Sequence, residues 1–346
     1  MLNTCRKVVV AGLMIASTGS ASADPIDVQI GTPTLDRWVY TFGSTPGTET
    51  EATVFSISGS GFESTFDIRD GQFLVGYETS GLVTPAQGTT RYRILSARVT
   101  ARISRDKVFQ YDGTFDALET YFAPEEPGYV ADGDVGRPIE LHPVGYRNGL
   151  SAATFVENTP FAFGNPVQKR VRNAYAAQYA NADGTGSLVD VSNNSYGQVG
   201  FPRFESRPIA VGVCPLSAGA LVDVNTDFVF DVDVTNAGAI RHIREGLNGG
   251  RLNFMISSLS ATSQQSSVTP AFYTREFPAS LGAVPVRLEL RVCVGAPADW
   301  NCSGGVSVQD VFDYLGGYFA NAGDFNANGS TSVQDIFDFL TAYFAG

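Results

Sequence analysis

The sequence predicts a mainly β protein, a large antiparallel β-sandwich followed by a small all-α module. Three observations predict it. Between residues 24 and 294 apolar residues recur with period two, the mark of half-buried strands. Helical patterns are sparse there, and turn signals such as Asp70-Gly71, Asp132-Gly133, Asp183-Gly184 and Asn248-Gly249-Gly250 punctuate the runs. Beyond residue 298 a polar loop followed by a helical pattern occurs twice.

Composition narrows the class. The 346 residues are 43% hydrophobic, 12% aromatic and only 17% charged, too apolar for a disordered chain. Acidic residues outnumber basic ones 35 to 23, which argues against a nucleic-acid partner needing a basic face. No stretch reaches the ~20 apolar residues that span a bilayer. Residues 1–23 read as a secretory signal peptide. Arg6 and Lys7 lead, 8–16 form the apolar core, and Ala21-Ser22-Ala23 matches a small-x-small cleavage site. Cys5 precedes the apolar core, where a lipoprotein cysteine would follow it. The expected product is a secreted, extracellular or surface protein.

Strands are expected in chain order at 37–42, 53–58, 72–78, 97–104, 188–191, 209–213, 227–235, 251–257 and 286–294. In the last, Val286, Leu288, Leu290, Val292 and Val294 alternate with Arg287, Glu289, Arg291 and Cys293. A short surface helix is expected at 237–247, where Ile240, Ile243 and Leu247 recur at helical spacing before Gly249-Gly250. Further helices are read at 116–122 and 168–179. Many strands with few helices give a β-sandwich of jelly-roll type. The segments 72–78, 94–99 and 230–235, the last leading through a helix to Arg251-Leu252-Asn253-Phe254, resemble secreted bacterial jelly-roll modules. That resemblance implies glycan binding or a structural surface role.

No catalytic residues are identified in this region. It carries no G-x-S-x-G elbow and no H-E-x-x-H. His142 and His242 are isolated and read as structural. Asp112, Asp116, Glu119, Glu140 and Glu157 are candidate glycosidase acids, but spacing does not say which meet, and solvated loop acids are the plainer reading. Asp132-Gly-Asp134 and Asn181-Ala-Asp183-Gly read as turns before they read as calcium loops. Exposed tyrosines among Tyr40, Tyr77, Tyr121, Tyr129, Tyr146 and Tyr179 would favour glycan binding.

The C-terminal repeat is more specific. Asp299-Trp-Asn301-Cys-Ser303-Gly304-Gly305-Val-Ser307-Val-Gln-Asp310 recurs as Asp324-Phe-Asn326-Ala-Asn328-Gly329-Ser330-Thr-Ser332-Val-Gln-Asp335. A calcium ion takes six to eight oxygens, and a twelve-residue loop offers them at positions 1, 3, 5, 7, 9 and 12. The first site would use Asp299, Asn301, Ser303, Gly305, Ser307 and Asp310. The second would use Asp324, Asn326, Asn328, Ser330, Ser332 and Asp335. Gly304 and Gly329 sit at position 6, where the loop turns sharply. Val308, Val311, Phe312, Leu315 and Phe319 then match Val333, Ile336, Phe337, Leu340 and Phe344. Each set draws one stripe on a helix too short to stand alone, so the two stripes should pack together.

This segment resembles dockerin modules, duplicated EF-hand-like calcium loops that are each followed by one helix. Its ending resembles the C-terminal anchoring modules of planctomycete-type secreted proteins. The resemblance covers residues 299–346 and implies two calcium ions and a docking or surface-attachment role. A cohesin-like or cell-envelope partner would follow, but Val308-Gln309 and Val333-Gln334 stand where cohesin-binding dockerins carry a hydroxyl pair. Ser303 and Asn328 replace Asp at position 5, leaving two carboxylates per loop.

The expected domains are therefore 1–23, 24–294 and 295–346. Only Gly295-Ala296-Pro297-Ala298 separates the last strand from the first loop, too short for a flexible tether. Cys293 and Cys302 flank it and make the natural disulfide in an oxidising compartment. Cys214 is left as a buried thiol, an intermolecular partner or a competitor for Cys293. The functional expectation is a secreted, non-catalytic protein presented through a calcium-binding module. A carbohydrate-binding protein or a dockerin-bearing polysaccharide hydrolase are the alternatives.

Overall fold

The computed structural model describes residues 24–43, 45–262 and 268–346; the signal sequence expected at 1–23 lies outside the described residues. The first strands are β1 (Ile26–Ile30), β2 (Leu35–Val39), β3 (Glu51–Thr53), β4 (Phe55–Ser56) and β5 (Arg69–Glu78). Next come β6 (Tyr92–Arg102), β7 (Ile139–Tyr146), β8 (Ala174–Tyr179), β9 (Leu188–Asp190) and β10 (Ala210–Val211). Strand β11 (Asp227–Asp231) leads into helix α1 (Ala237–Gly249), and β12 (Arg251–Ser258), β13 (Ala271–Tyr273) and β14 (Arg287–Val294) complete the β region. Helices α2 (Val308–Phe319) and α3 (Val333–Ala345) end the chain.

The named strands pair antiparallel throughout. One sheet has the order β1-β14-β6-β11. A larger one runs β2-β5-β12-β7-β8-β9, with β4 added to β5 and β10 to β7. Val28, Val99, Phe228 and Leu290 of the first sheet share one core with Phe73, Leu141, Leu252 and Phe254 of the second. Each such side chain, removed fully from water, contributes roughly 1.5–3 kcal/mol. The expected mainly antiparallel β architecture is present.

The expected period of two holds for only one of the sheets. In β14 Leu288, Leu290 and Val292 are buried while Glu289 and Arg291 are exposed. In β5, β8 and β12 nearly every residue is buried. The outer face of the large sheet is covered too, where Leu74, Val144, Ala176 and Met255 pack under Phe155, Phe161 and Val191. A strand buried on both faces has no polar side to alternate with.

Two expected helices are corrected. Residues 174–179 form β8, hydrogen-bonded between β7 and β9; ladder pairing outweighs the helix propensity of Ala174-Tyr175-Ala176-Ala177-Gln178. At 116–122 there is one 3₁₀ turn, Leu118–Tyr121. Helix α1 forms where expected. The Asn236 side chain accepts from Ala239 N at its start, and Gly250 takes φ 77° at its end, a conformation that suits glycine. It buries Ala239, Ile243 and Leu247 in the shared core.

Helices α2 and α3 start at Ser307 and Ser332, each in a reciprocal capping box with Asp310 or Asp335. Their packed face differs from the expected stripe. Val311, Tyr314, Leu315 and Tyr318 meet Ile336, Phe339, Leu340 and Tyr343 around Trp300 and Phe325. At 100° per residue this face is rotated by roughly 60° from the stripe read in sequence. Tyr314 and Phe339, both 0% exposed, stack with ring centroids 4.1 Å apart and set the rotation. Val308, Phe312, Phe319, Val333, Phe337 and Phe344, expected inside, are all exposed.

The helix pair is fastened to the β region. Cys293 and Cys302 form the expected disulfide, with Cα atoms 5.8 Å apart. Cys214 stays free and half-buried. Gly295 N donates to Arg91 O at 3.1 Å, and the Arg93 guanidinium lies 3.8 Å over the Trp300 ring. Beside this contact runs a cleft of about 940 Å³, lined by Arg91, Arg244 and Asn326 among others.

Candidate metal centre

The twelve sequence-predicted ligand residues gather into two matching loops. Asp299 accepts Ser303 N and Gly304 N, both at 2.8 Å, one on each carboxylate oxygen. Asp324 does the same with Asn328 N at 3.0 Å and Gly329 N at 2.7 Å. Gly304 and Gly329 take φ 89° and 85°, which explains glycine at position 6. Across the loop, Asp310 Oδ1 accepts Asn301 N at 3.0 Å, and Asp335 Oδ1 accepts Asn326 N at 3.2 Å. The second oxygen of Asp310 accepts from Ser307, and that of Asp335 from Ser332. The Ser303 hydroxyl donates to Gly305 O at 3.2 Å, and Ser330 donates to Asn328 Oδ1.

One residue outside the predicted ligand set completes each loop. The Asn301 side-chain amide donates to Asp313 at 3.0 Å, and Asn326 donates to Asp338 at 2.9 Å. Gln309 and Gln334 hold the other oxygens of these carboxylates. Hydrogen bonds from Asn326 and Gln334 hold the Asp338 carboxyl below its ordinary range. Anchoring the amide nitrogen fixes which way the amide oxygen at position 3 points. The signal was present: Asp313 and Asp338 each follow the last predicted ligand by three residues, one helical turn.

The donor chemistry fits a hard divalent cation. Asp310 and Asp335 are 0% exposed and Asp299 is 6% exposed. Residues 299–346 contain six Asp and no Lys or Arg. Buried carboxylates are costly without a compensating cation. The β region brings Arg93 near Asp299 and Asp310, and Arg244 near Asp324. Burial pushes the Arg93 guanidinium down to about 10 even with the Asp299 carboxylate beside it raising it.

The other acidic candidates fall into different settings. Glu140 is buried against Arg69 and His142; burial alone would raise it, but these partners hold it at about 2. His142 Nε2 lies 3.2 Å from Glu140 Oε2, and His242 Nε2 meets Asn253 O at 2.6 Å. Asp183 Oδ1 accepts Thr185 N and Oγ1 as a turn. Asp112 and Asp116 do approach each other, and both are buried, at 2% and 5% exposure. Burial pushes both carboxyls up. Of the six tyrosines, Tyr40, Tyr77 and Tyr179 are buried, and Tyr129 is 37% exposed. Tyr121 bonds Asp116, and Tyr146 accepts from Asn253.

Asp36, Glu157 and Glu276 form a second carboxylate group, held by Arg275 at 3.2, 2.9 and 2.9 Å. Burial pushes the Asp36 carboxyl up to about 7 against the Arg275 backbone N–H, and Glu276 and Glu157 add to the rise. A raised carboxyl keeps its proton in the fold at a pH where the unfolded chain has lost it. Its contribution to stability therefore falls as pH rises between about 4 and about 7. Relative to wild type, Asp36→Asn should gain about 2 kcal/mol between pH 5 and 8. His142 and His242, lowered by burial, act oppositely but equally in both proteins. A pH-independent difference in melting temperature would contradict this assignment.

The sequence matches no known family model and no characterised protein.

Proposed function

We propose that this is a secreted, non-catalytic protein that presents a jelly-roll-type β-sandwich through a calcium-stabilised, dockerin-like docking module. The observation that carries the reading is the duplication. Each of two twelve-residue loops draws six oxygen-bearing residues together, and each leads into a helix displaying an apolar stripe. Asp299, Asn301, Ser303, Gly305, Ser307 and Asp310 would hold one ion, and their counterparts from Asp324 to Asp335 the other. Bound calcium supplies the positive charge these loops lack. The loop residues then cap and orient α2 and α3, so that metal binding and module folding are one process.

The partner would bind the exposed stripes, Val308, Phe312 and Phe319 on α2 and Val333, Phe337 and Phe344 on α3. Large exposed apolar patches rimmed by charge mark interaction sites. Asp313 and Asp338 directly follow Phe312 and Phe337, which suits a partner with an apolar groove and basic edges, on the cell envelope or on a cohesin-like receptor. The disulfide supports an oxidising, extracellular setting. No helix of the described residues is long and apolar enough to cross a membrane.

The test is retention of the full chain on the envelope fraction of the producing cells. Binding should occur in millimolar calcium, vanish in chelator, and fall at least tenfold in a Phe312→Ser, Phe337→Ser double variant. Retention indifferent to both changes would refute the docking role.

A further inference from the structure

We propose that the β region carries a third calcium site, built from Asp112, Asp116 and Asp134. Two turns distant in sequence converge here, and one carboxylate oxygen from each Asp lies within 4.8 Å of the others. Three points so spaced have a common centre no more than roughly 2.8 Å from each. A shift of a few tenths of an ångström brings them to the 2.3–2.6 Å of calcium–oxygen bonds.

The independent observation is Asp112. It is 2% exposed, its Oδ2 has no hydrogen-bond partner, and its carboxylate faces those of Asp116 and Asp134. The other oxygen, Oδ1, accepts Thr114 N and Oγ1 at 2.8 and 2.9 Å. A buried carboxylate oxygen left without a partner costs free energy that a bound cation would offset.

The neighbouring charges separate this group from the Asp36 cluster. There, the Arg275 guanidinium reaches all three carboxylates and occupies the place of a cation. Here Arg137 reaches Asp116 at 2.7 Å and Asp132 at 2.8 Å. Neither Asp112 nor Asp134 has an ion-pair partner among the described residues. Four aspartates against one guanidinium leave an excess negative charge that a divalent ion would largely cancel. The donors are all hard oxygens, with the Thr114 hydroxyl bridging Asp112 and Asp134. Asp134 is half-buried, so water can complete the shell, which suits the loose coordination of calcium over the strict octahedron of magnesium.

The count rests on the proposed loops only through its total. Native mass spectrometry of the full chain in calcium should show three bound ions, two in Asp112→Asn, and one in an Asp310→Asn, Asp335→Asn double variant. If the C-terminal loops fail but this site holds, wild type binds one ion and Asp112→Asn none. The melting temperature supplies a second readout with a change of sign. Asp112→Asn, freed of a buried charge, should melt above wild type in chelator and below it in millimolar calcium. Should that variant not fold, Asp134→Asn at the half-exposed turn should lose the same ion. A calcium count unchanged by both Asp112→Asn and Asp134→Asn would overturn the site, as would a variant that melts above wild type in calcium as well.

Discussion

In excess chelator, residues 299–346 should become protease-sensitive and Trp300 should be exposed to solvent, while the β region stays folded. The helices have only 12 and 13 residues, near the length at which isolated helices are marginal in water. Their shared core has just Ala298, Tyr314 and Phe339 fully buried. Against this small core stand buried carboxylates in both loops and no Lys or Arg within the segment. Two ions at a hundred times their dissociation constants would each contribute about 2.7 kcal/mol, comparable to the stability of a small domain. The Cys293–Cys302 disulfide holds the first loop beside β14 while the helices are melted, and the change should reverse when calcium returns. Trp300 fluorescence in a Trp38→Phe background, followed with limited proteolysis, reads the transition directly. Fluorescence and protease resistance indifferent to chelator would contradict metal-coupled folding.

Replacing Asp67 by Ala should cost about 3–5 kcal/mol, the penalty of leaving a buried charge without its partner. Arg172 is 0% exposed and Asp67 2%, with the guanidinium Nε 2.7 Å from the carboxylate. The same carboxylate accepts Arg170 N and the Asn193 amide at 2.9 and 2.6 Å. Burial would raise the Asp67 carboxyl, but Arg172 and these hydrogen bonds outweigh it and hold it low. Asp70 would then remain near the charge, its backbone O at 3.2 Å and its carboxylate at 3.9 Å. Combining Asp67→Ala with Arg172→Leu should recover part of the loss, since it removes both charges. Chemical denaturation of the three variants measures this. A loss below 1 kcal/mol for Asp67→Ala would show that the pair is not what holds these turns.

One-sided burial explains some of the elements that the sequence makes legible. Strand β14 was readable because one of its faces meets the core and the other meets solvent. Strand β7 lies outside the predicted strands; Pro143 disfavours a central strand, yet β7 lies between β12 and β8. Strand β8 was read as helix because local propensity carries no information about which ladder a segment will join. Both lie in the sheet that is buried on two sides, but so do β5 and β12, which the sequence does place, and β1 and β13 also lie outside the predicted strands. In the repeat, loop spacing, glycine positions and helix starts were all readable, since each follows from local geometry. The anchoring of Asn301 and Asn326 by Asp313 and Asp338 was equally periodic but lay outside the expected ligand set.

By itself, the sequence determined the antiparallel β character, helix α1 and the duplicated loop-helix unit, and made Cys293–Cys302 the natural pair. These depend on side-chain period, capping and short spacings, which act within a few residues. Only the tertiary structure decided which helix face is buried. Helical spacing defines a stripe to within one position, and the stacking of Tyr314 on Phe339 turned both helices away from it, leaving Phe312 and Phe337 in solvent. Tertiary structure likewise brought Asp134 to Asp112 and Asp116, a meeting of two turns that no local pattern encodes.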